Sequence, residues 1–271
     1  MNKRKRVEIR EKIKSVFSDL IFDEPTHFYG LKSDPSYRFK KSVSKLADAV
    51  KEGFNEEYWL TKKGEEKQLK DVVLGNEVRP LEEYREELRA EWKNTRDVSA
   101  TRGTQIHKEL EDYTQDNRKK ASDVTKRINK WFIANGYLLI GNELRVYDKE
   151  SGISGTLDIL AYNIYDNSFY ILDFKTNRNK LIEKVETYID KKTGKKKKSK
   201  FMLKAPFENY PQSKYYEYCI QLNGYKYILE KHTDIKIKGI ILIQISDILF
   251  PEDQFKIIPG ESINVDCLFK S

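Results

Sequence analysis

Cysteine is nearly missing from this chain. The two present among 271 residues, Cys219 and Cys267, stand far apart and belong to no CxxC or Cys/His spacing. That argues against a disulfide framework, a zinc site and a four-cysteine iron–sulfur cluster. Also lacking is any apolar run near the roughly 20 residues that a membrane-crossing helix requires. The opening stretch, MNKRKRVEIREKIK, is basic but leads into no apolar h-region, so it does not read as a secretory signal. No GxxxxGK(S/T) loop occurs, which removes the usual mark of an ATP-driven enzyme. A soluble, intracellular protein is the expectation.

What is present is charge and aromatic bulk. Charged residues make up 35% and apolar ones 38%, yet 17 Tyr, 13 Phe and 3 Trp supply enough volume for a packed interior. The net charge of +8 is unevenly placed. KKTGKKKKSK, Lys191 to Lys200, holds seven lysines and no acid, so nearly all of the excess sits there. Such a run is either a solvated loop or a sequence-blind phosphate contact, with Lys195, Lys196, Lys197 and Lys198 as its centre.

Along the chain, helical spacing covers the first 20 residues, and Ser42 or Ser44 can cap a helix through KLADAVKEGFNEEYWL. Residues 78–95 and SATRGTQIHKELEDYT continue in helical pattern, and 121–135 adds another helix. Three strands follow: NELRVYD, ISGTLDILAYN and SFYILDFKT. An excursion over about 180–204 has TG at its tip, with ETYID and KFML as candidate hairpin arms. SKYYEYCIQLNGYKYILEKH reads as a helix, IKGIILIQIS as a buried strand and the tail as an edge strand. The order implies an α/β core, residues 96–271, carrying a basic insertion and preceded by a mainly helical N-terminal extension, residues 1–95.

Two of these strands carry charge where a core strand should not. Strand side chains alternate, so Asp173 and Lys175 share one face. A turn centred on Asp166-Asn167 would set Asp158 opposite Lys175 and Leu160 opposite Asp173, about 5 Å apart across the pair. Two carboxylates packed together repel, and burial raises the cost of ionising either. A divalent cation removes both objections, and Mg²⁺ commonly takes one or two carboxylates plus substrate phosphates. A structural Asp–Lys pair is the plainer alternative. His107, four residues after Gly103 on one helix face, could reach the cation or simply pack. Gln221 and Tyr225 share a helix face and suit either nucleic-acid contact or core packing.

In this order, Gly103-Thr104-Gln105-Ile106-His107, Gly155-Thr156-Leu157-Asp158, Asp173-Phe174-Lys175 and Gln221-Leu222-Asn223-Gly224-Tyr225 resemble the PD-(D/E)XK nuclease superfamily, in its RecB-like exonuclease branch. The resemblance spans about Arg102 to Ser246. It implies a restriction-endonuclease-like core, a central mixed β-sheet flanked by helices, and Mg²⁺- or Mn²⁺-dependent hydrolysis of DNA with one or two ions. By resemblance, Asp158 and Asp173 are metal ligands, the Phe174 carbonyl and His107 join them, and Lys175 is the catalytic lysine. Glu143 stands where relatives are often acidic. Gln221 and Tyr225 match a motif implicated in DNA contact.

Asp in the D-x-K motif departs from the superfamily's commoner Glu. The iron–sulfur members of the branch do not fit two distant cysteines. What remains looks like its stand-alone viral or mitochondrial-type exonucleases, and MLKAPFENYPQSKYYEYCIQLNGYKYILE is similar to a stretch in phage members. The expected partner is DNA with a free end, with a recombination or replication protein as a further one and no membrane. The expected setting is the cytoplasm of a bacterium or of a phage's host, an organelle matrix fitting less well. Arg102, placed just before the His107 helix, is a candidate for a terminal phosphate at a helix N-terminus. An endonuclease on the same site, and an inactive DNA-binding scaffold, are the competing readings.

Overall fold

The structure, a computed structural model, describes residues 1–23, 26, 28–114, 121–177, 179–181, 187–189, 196–198 and 202–270; side chains of 110–114, 187–189 and 196–198 fall outside that description. Helix α1 (Lys3–Val16) precedes a hairpin of β1 (Leu20–Asp23) and β2 (Phe28–Leu31), and β3 (Lys41–Ser42) leads into a 3-10 helix, Val43–Ala49. Helices α2 (Glu56–Leu74), α3 (Leu81–Thr114) and α4 (Asp123–Ala134) follow. Then come β4 (Tyr137–Asp148), β5 (Ile153–Asn163), β6 (Ser168–Lys175), a short pair β7 (Thr187–Ile189) and β8 (Lys196–Lys198), α5 (Lys214–His232), β9 (Ile237–Ile245) and β10 (Phe255–Pro259).

The main sheet is mixed. Strand β5 pairs with β4 along one edge; its other edge is shared by β6, over Ile159–Asn163, and by β3, at Ile153 and Ser154. β6 continues the sheet through β9 to β10 at the far edge. The β3–β5 and β6–β9 pairs are parallel and the others antiparallel. On one face α1, α5 and the Val43–Ala49 turn bury Ile13, Phe17, Val43, Leu46, Ile220 and Leu222. On the other, Ile128 and Phe132 of α4 join Ile106 of α3. The chain is therefore α/β, a mixed sheet flanked by helices. Among the described residues no helix is long and apolar enough to cross a membrane.

Local chemistry explains where the elements break. The helix expected from Ser42 or Ser44 through Leu60 is two: the 3-10 turn stops at Val50, and Asn55 starts α2 by accepting a hydrogen bond from the Tyr58 N–H at 3.0 Å. Gly75, at φ +70°, ends α2 in the left-handed conformation. The two helical stretches expected around residues 78–114 are one helix. Contacts divide the chain at Lys51/Glu52 and at Gln105/Ile106, not near residue 95. Residues 1–51 supply a sheet strand and core side chains, so they belong with 106–271. Residues 52–105 form a separate helical unit closed around buried Leu60, Tyr84 and Leu88. Within the basic insertion, β7 pairs with β8, so the second arm is Lys196–Lys198 rather than KFML. Lys195 and the TG tip lie outside the described residues.

Candidate metal centre

The β5–β6 pair fixes the geometry. Asn163 accepts a hydrogen bond from the Tyr165 N–H and Asp166 one from the Ser168 N–H, so the four-residue turn centres on Tyr165-Asp166. That is one residue earlier than expected. Leu160 consequently opposes Ile171, not Asp173, and Ile159 opposes Leu172. Continued by one step, this register sets Asp158 across from Asp173 instead of Lys175. Parity survives because the loop still has four residues.

Ladder pairing stops at that point. Beyond Leu172, β6 stays with β9 as far as Lys175, but β5 peels away, leaving a notch between them. β5 also changes face there: Leu157 and Leu160 both pack on the α5 side, whereas Ile159 and Ala161 pack on the α4 side. Across from it on β4, between the pairs Leu144–Leu157 and Asn142–Ile159, Glu143 adopts φ +47°. That irregularity turns two carboxylates toward the notch. Phe174 shows the consequence. Its N–H, without a strand partner on that side, donates to Asp158 Oδ2 at 3.0 Å, and its carbonyl lies 3.3 Å from His107 Nε2.

His107 arrives from the opposite direction on α3, its ring edge-on to Phe174. Nδ1 is 3.5 Å from Asp158 Oδ2 and 3.9 Å from Glu143 Oε1. One ligand atom each from His107, Glu143 and Asp158 lie within 4.8 Å of one another. Asp173 stands beside this cluster, its side chain 1% exposed and its Oδ2 2.5 Å from Lys175 Nζ. Burial and the charge of Asp158 push the Asp173 carboxyl up to about 7. Burial works against the Lys175 ammonium, but Asp173 and Asp158 hold its pKa above the ordinary lysine value. Burial likewise opposes the His107 imidazolium, yet Glu143, Asp158 and Asp173 outweigh it and raise His107 to about 9.

These donors suit a hard divalent cation: carboxylate oxygens, one backbone carbonyl and one imidazole, all at a water-accessible notch. Asp173 Oδ2 is enclosed and makes no hydrogen bond of good geometry despite the nearby ammonium, as expected of a carboxylate retained for charge rather than for packing. To ligate, His107 would have to give up its proton.

Behind Lys175 stands a buried support. Its ammonium donates to Gln221 Oε1 at 3.4 Å and lies 4.3 Å from the centre of the Tyr218 ring. Tyr218 is fixed in turn by Asn177. Tyr225 is 2% exposed and fills the space above Gly155, where an added Cβ would meet its ring and hydroxyl at 3.0 Å. Gln221 is buried too, though less completely. Gln221 thus stands behind Lys175 and Tyr225 against Gly155 of β5, both largely buried. Tyr215 and Tyr216 are core residues too.

The expectation for Arg102 is also corrected. It sits inside α3, far from the helix start at Leu81, where the backbone N–H groups are spent within the helix. Lys196, Lys197 and Lys198 form β8, with their side chains outside the description.

Gln244 was not anticipated. Fully buried and paired in register with Lys175, it accepts from the Leu181 N–H and donates to the carbonyls of Asn177 and Asn179. A lone amide in IILIQIS was the available signal. Gln244→Leu should leave three backbone groups unpaired and cost about 3 kcal/mol, measured by urea unfolding; an unchanged midpoint would show that the segment finds other partners. Compared with models of known families the chain gives no match, and compared with curated proteins it gives none either.

Proposed function

We propose that this chain is a metal-dependent deoxyribonuclease with a PD-(D/E)XK, restriction-endonuclease-like core, acting as an exonuclease. One observation supports the reading above the rest: Asp158, Glu143, His107 and the Phe174 carbonyl converge on a strand notch beside a buried Asp173–Lys175 pair. A purely structural ion pair would not need the additional carboxylates.

Asp158, Glu143 and Asp173, with His107 and the Phe174 carbonyl, would hold Mg²⁺ or Mn²⁺. When bound, such an ion supplies Lewis acidity and lowers the pKa of a coordinated water. Lys175 donates hydrogen bonds from a fixed position, because Asp173, Gln221 and the Tyr218 ring restrict its ammonium. That ammonium orients the attacking water and offsets charge building on the phosphate. Asp158 keeps the Phe174 peptide aligned, which holds the carbonyl at the notch.

End-labelled single- and double-stranded DNA incubated with Mg²⁺ or Mn²⁺ tests the reading. Wild type should release nucleotides, and Lys175→Ala should do so about 10²- to 10⁴-fold more slowly. Efficient cutting of covalently closed circles would replace the exonuclease by an endonuclease. DNA binding without any metal-dependent release would leave a scaffold.

A further inference from the structure

Beside the β3 edge lies a cleft of about 630 Å³, within the usual range for ligand sites. Lys40, Lys41, Lys45 and Lys270 stand around it against a single acid, Asp48. All four lysines are exposed, and among the described residues none of the four is in an ion pair. Rings of Phe28, Tyr29 and Phe39 line its apolar part, Phe28 at 54% exposure. One further lining residue, Ser154, is fully buried, yet its hydroxyl has no hydrogen-bond partner. An unpaired buried hydroxyl is costly unless something reaches it. Cationic rim, aromatic wall and an unused hydroxyl are complementary to a phosphate joined to a flat ring.

The cleft is tied to the metal centre through β5. Tyr29 shares a hydrogen bond of 2.9 Å with Thr156, two residues from Asp158, and Ser154 is four residues from it. Along an extended strand those four residues cover about 13 Å, a span that a short oligonucleotide bridges. We infer that the cleft holds one nucleotide of a single strand whose scissile phosphate lies at the Asp158 notch. The lysines take phosphate oxygens, and the base, free of its duplex partner, stacks on the exposed Phe28 ring. A base still paired and stacked in a duplex cannot enter, so the inference assigns single-stranded nucleic acid as the substrate. It rests on the nuclease reading of the neighbouring notch.

Fluorescence anisotropy of a labelled oligothymidylate, in EDTA so that nothing is cut, tests this on the full chain. Wild type should bind the single strand at least tenfold more tightly than the same strand annealed to its complement. Lys41→Ala combined with Lys45→Ala should lower the slope of log affinity against log salt by about 1.4, at 0.7 per lost phosphate contact. Phe28→Ala should weaken binding roughly 5- to 150-fold, as for one lost stacking partner. Equal affinity for duplex, or wild-type affinity and slope in both variants, overturns the inference. So does binding of thymidine 5′-monophosphate with none of the oligonucleotide. Metal-dependent cleavage by a chain whose cleft variants bind normally would sink the cleft alone. Cleft-dependent strand binding by a chain that never cleaves would sink the nuclease reading alone.

Discussion

Asp158→Asn is expected to remove divalent-cation uptake and DNA cleavage together, whereas Lys175→Ala removes cleavage and spares uptake. The asparagine still offers an oxygen to the Phe174 N–H, now held by Asp158 Oδ2 at 3.0 Å, so the fold of the notch should persist. What disappears is the charge shared with His107 and Glu143. Mn²⁺ affinity by calorimetry should drop about 100-fold or more, since a ligand is worth at least as much as the outer-shell groups whose loss costs 10- to 100-fold. Cleavage should fall by roughly three orders of magnitude, the scale of losing several kcal/mol of charge stabilisation. Lys175 lies on the other side of Asp173, 2.5 Å from its carboxylate, and its removal takes a positive charge away from the site. Uptake in Lys175→Ala should therefore equal or exceed that of wild type. Wild-type Mn²⁺ affinity in Asp158→Asn would show that the cluster is not where the cation sits.

Much of this site was legible because two carboxylates and an amine interrupt otherwise apolar strands. Burial is costly for each of them singly, so their convergence was the economical explanation. The strand meander, the final helix and the edge strand followed from alternation and helical spacing. The register did not, because Asn163 and Asp166 side chains set the turn and the sequence offers several Asx residues at once. The face change of β5 at Asp158 was invisible for a related reason: it depends on Glu143 across the ladder, at positive φ, and no local pattern in SGTLDIL announces it. The spacing of Gln221 and Tyr225 puts them on one helix face and leaves nucleic-acid contact and core packing both open. Helix α5 is buried on nearly every side, against the sheet and against the Val43–Ala49 turn, and a helix with so little contrast between faces gives no direction. Gly224 makes that double packing feasible; a Cβ there would come within 2.6 Å of Leu46 Cδ1. The β3 strand, two residues long, is too short to leave a periodic signal.

Away from the notch, Asp148→Ala should be among the most destabilising single changes in the sheet unit, at about 3–5 kcal/mol for a buried charge pair broken from one side. Asp148 ends β4 completely buried. Its carboxylate accepts from the Ser151 N–H at 3.1 Å and lies 2.9 Å from Lys231 Nζ and 2.8 Å from His232 Nε2. These contacts clamp the turn before β5 to the C-terminal end of α5, where the Lys231 ammonium also meets the helix dipole. Burial works to raise the carboxyl pKa, but Ser151, Lys231 and His232 outweigh it and hold Asp148 at about 2. An aspartate in the unfolded chain titrates near 3.9. A depressed folded-state value contributes stability above the unfolded pKa, about 2 kcal/mol here, and loses it as pH falls from about 4 through about 2. Asp148→Asn, which keeps an acceptor but no charge, should therefore trail wild type by a constant margin from pH 5 to 7. Urea midpoints taken between pH 5 and 3 should show that margin shrinking. A gap that stays constant down to pH 3 would mean that the carboxylate is not ionised against Lys231 and His232 in the folded protein.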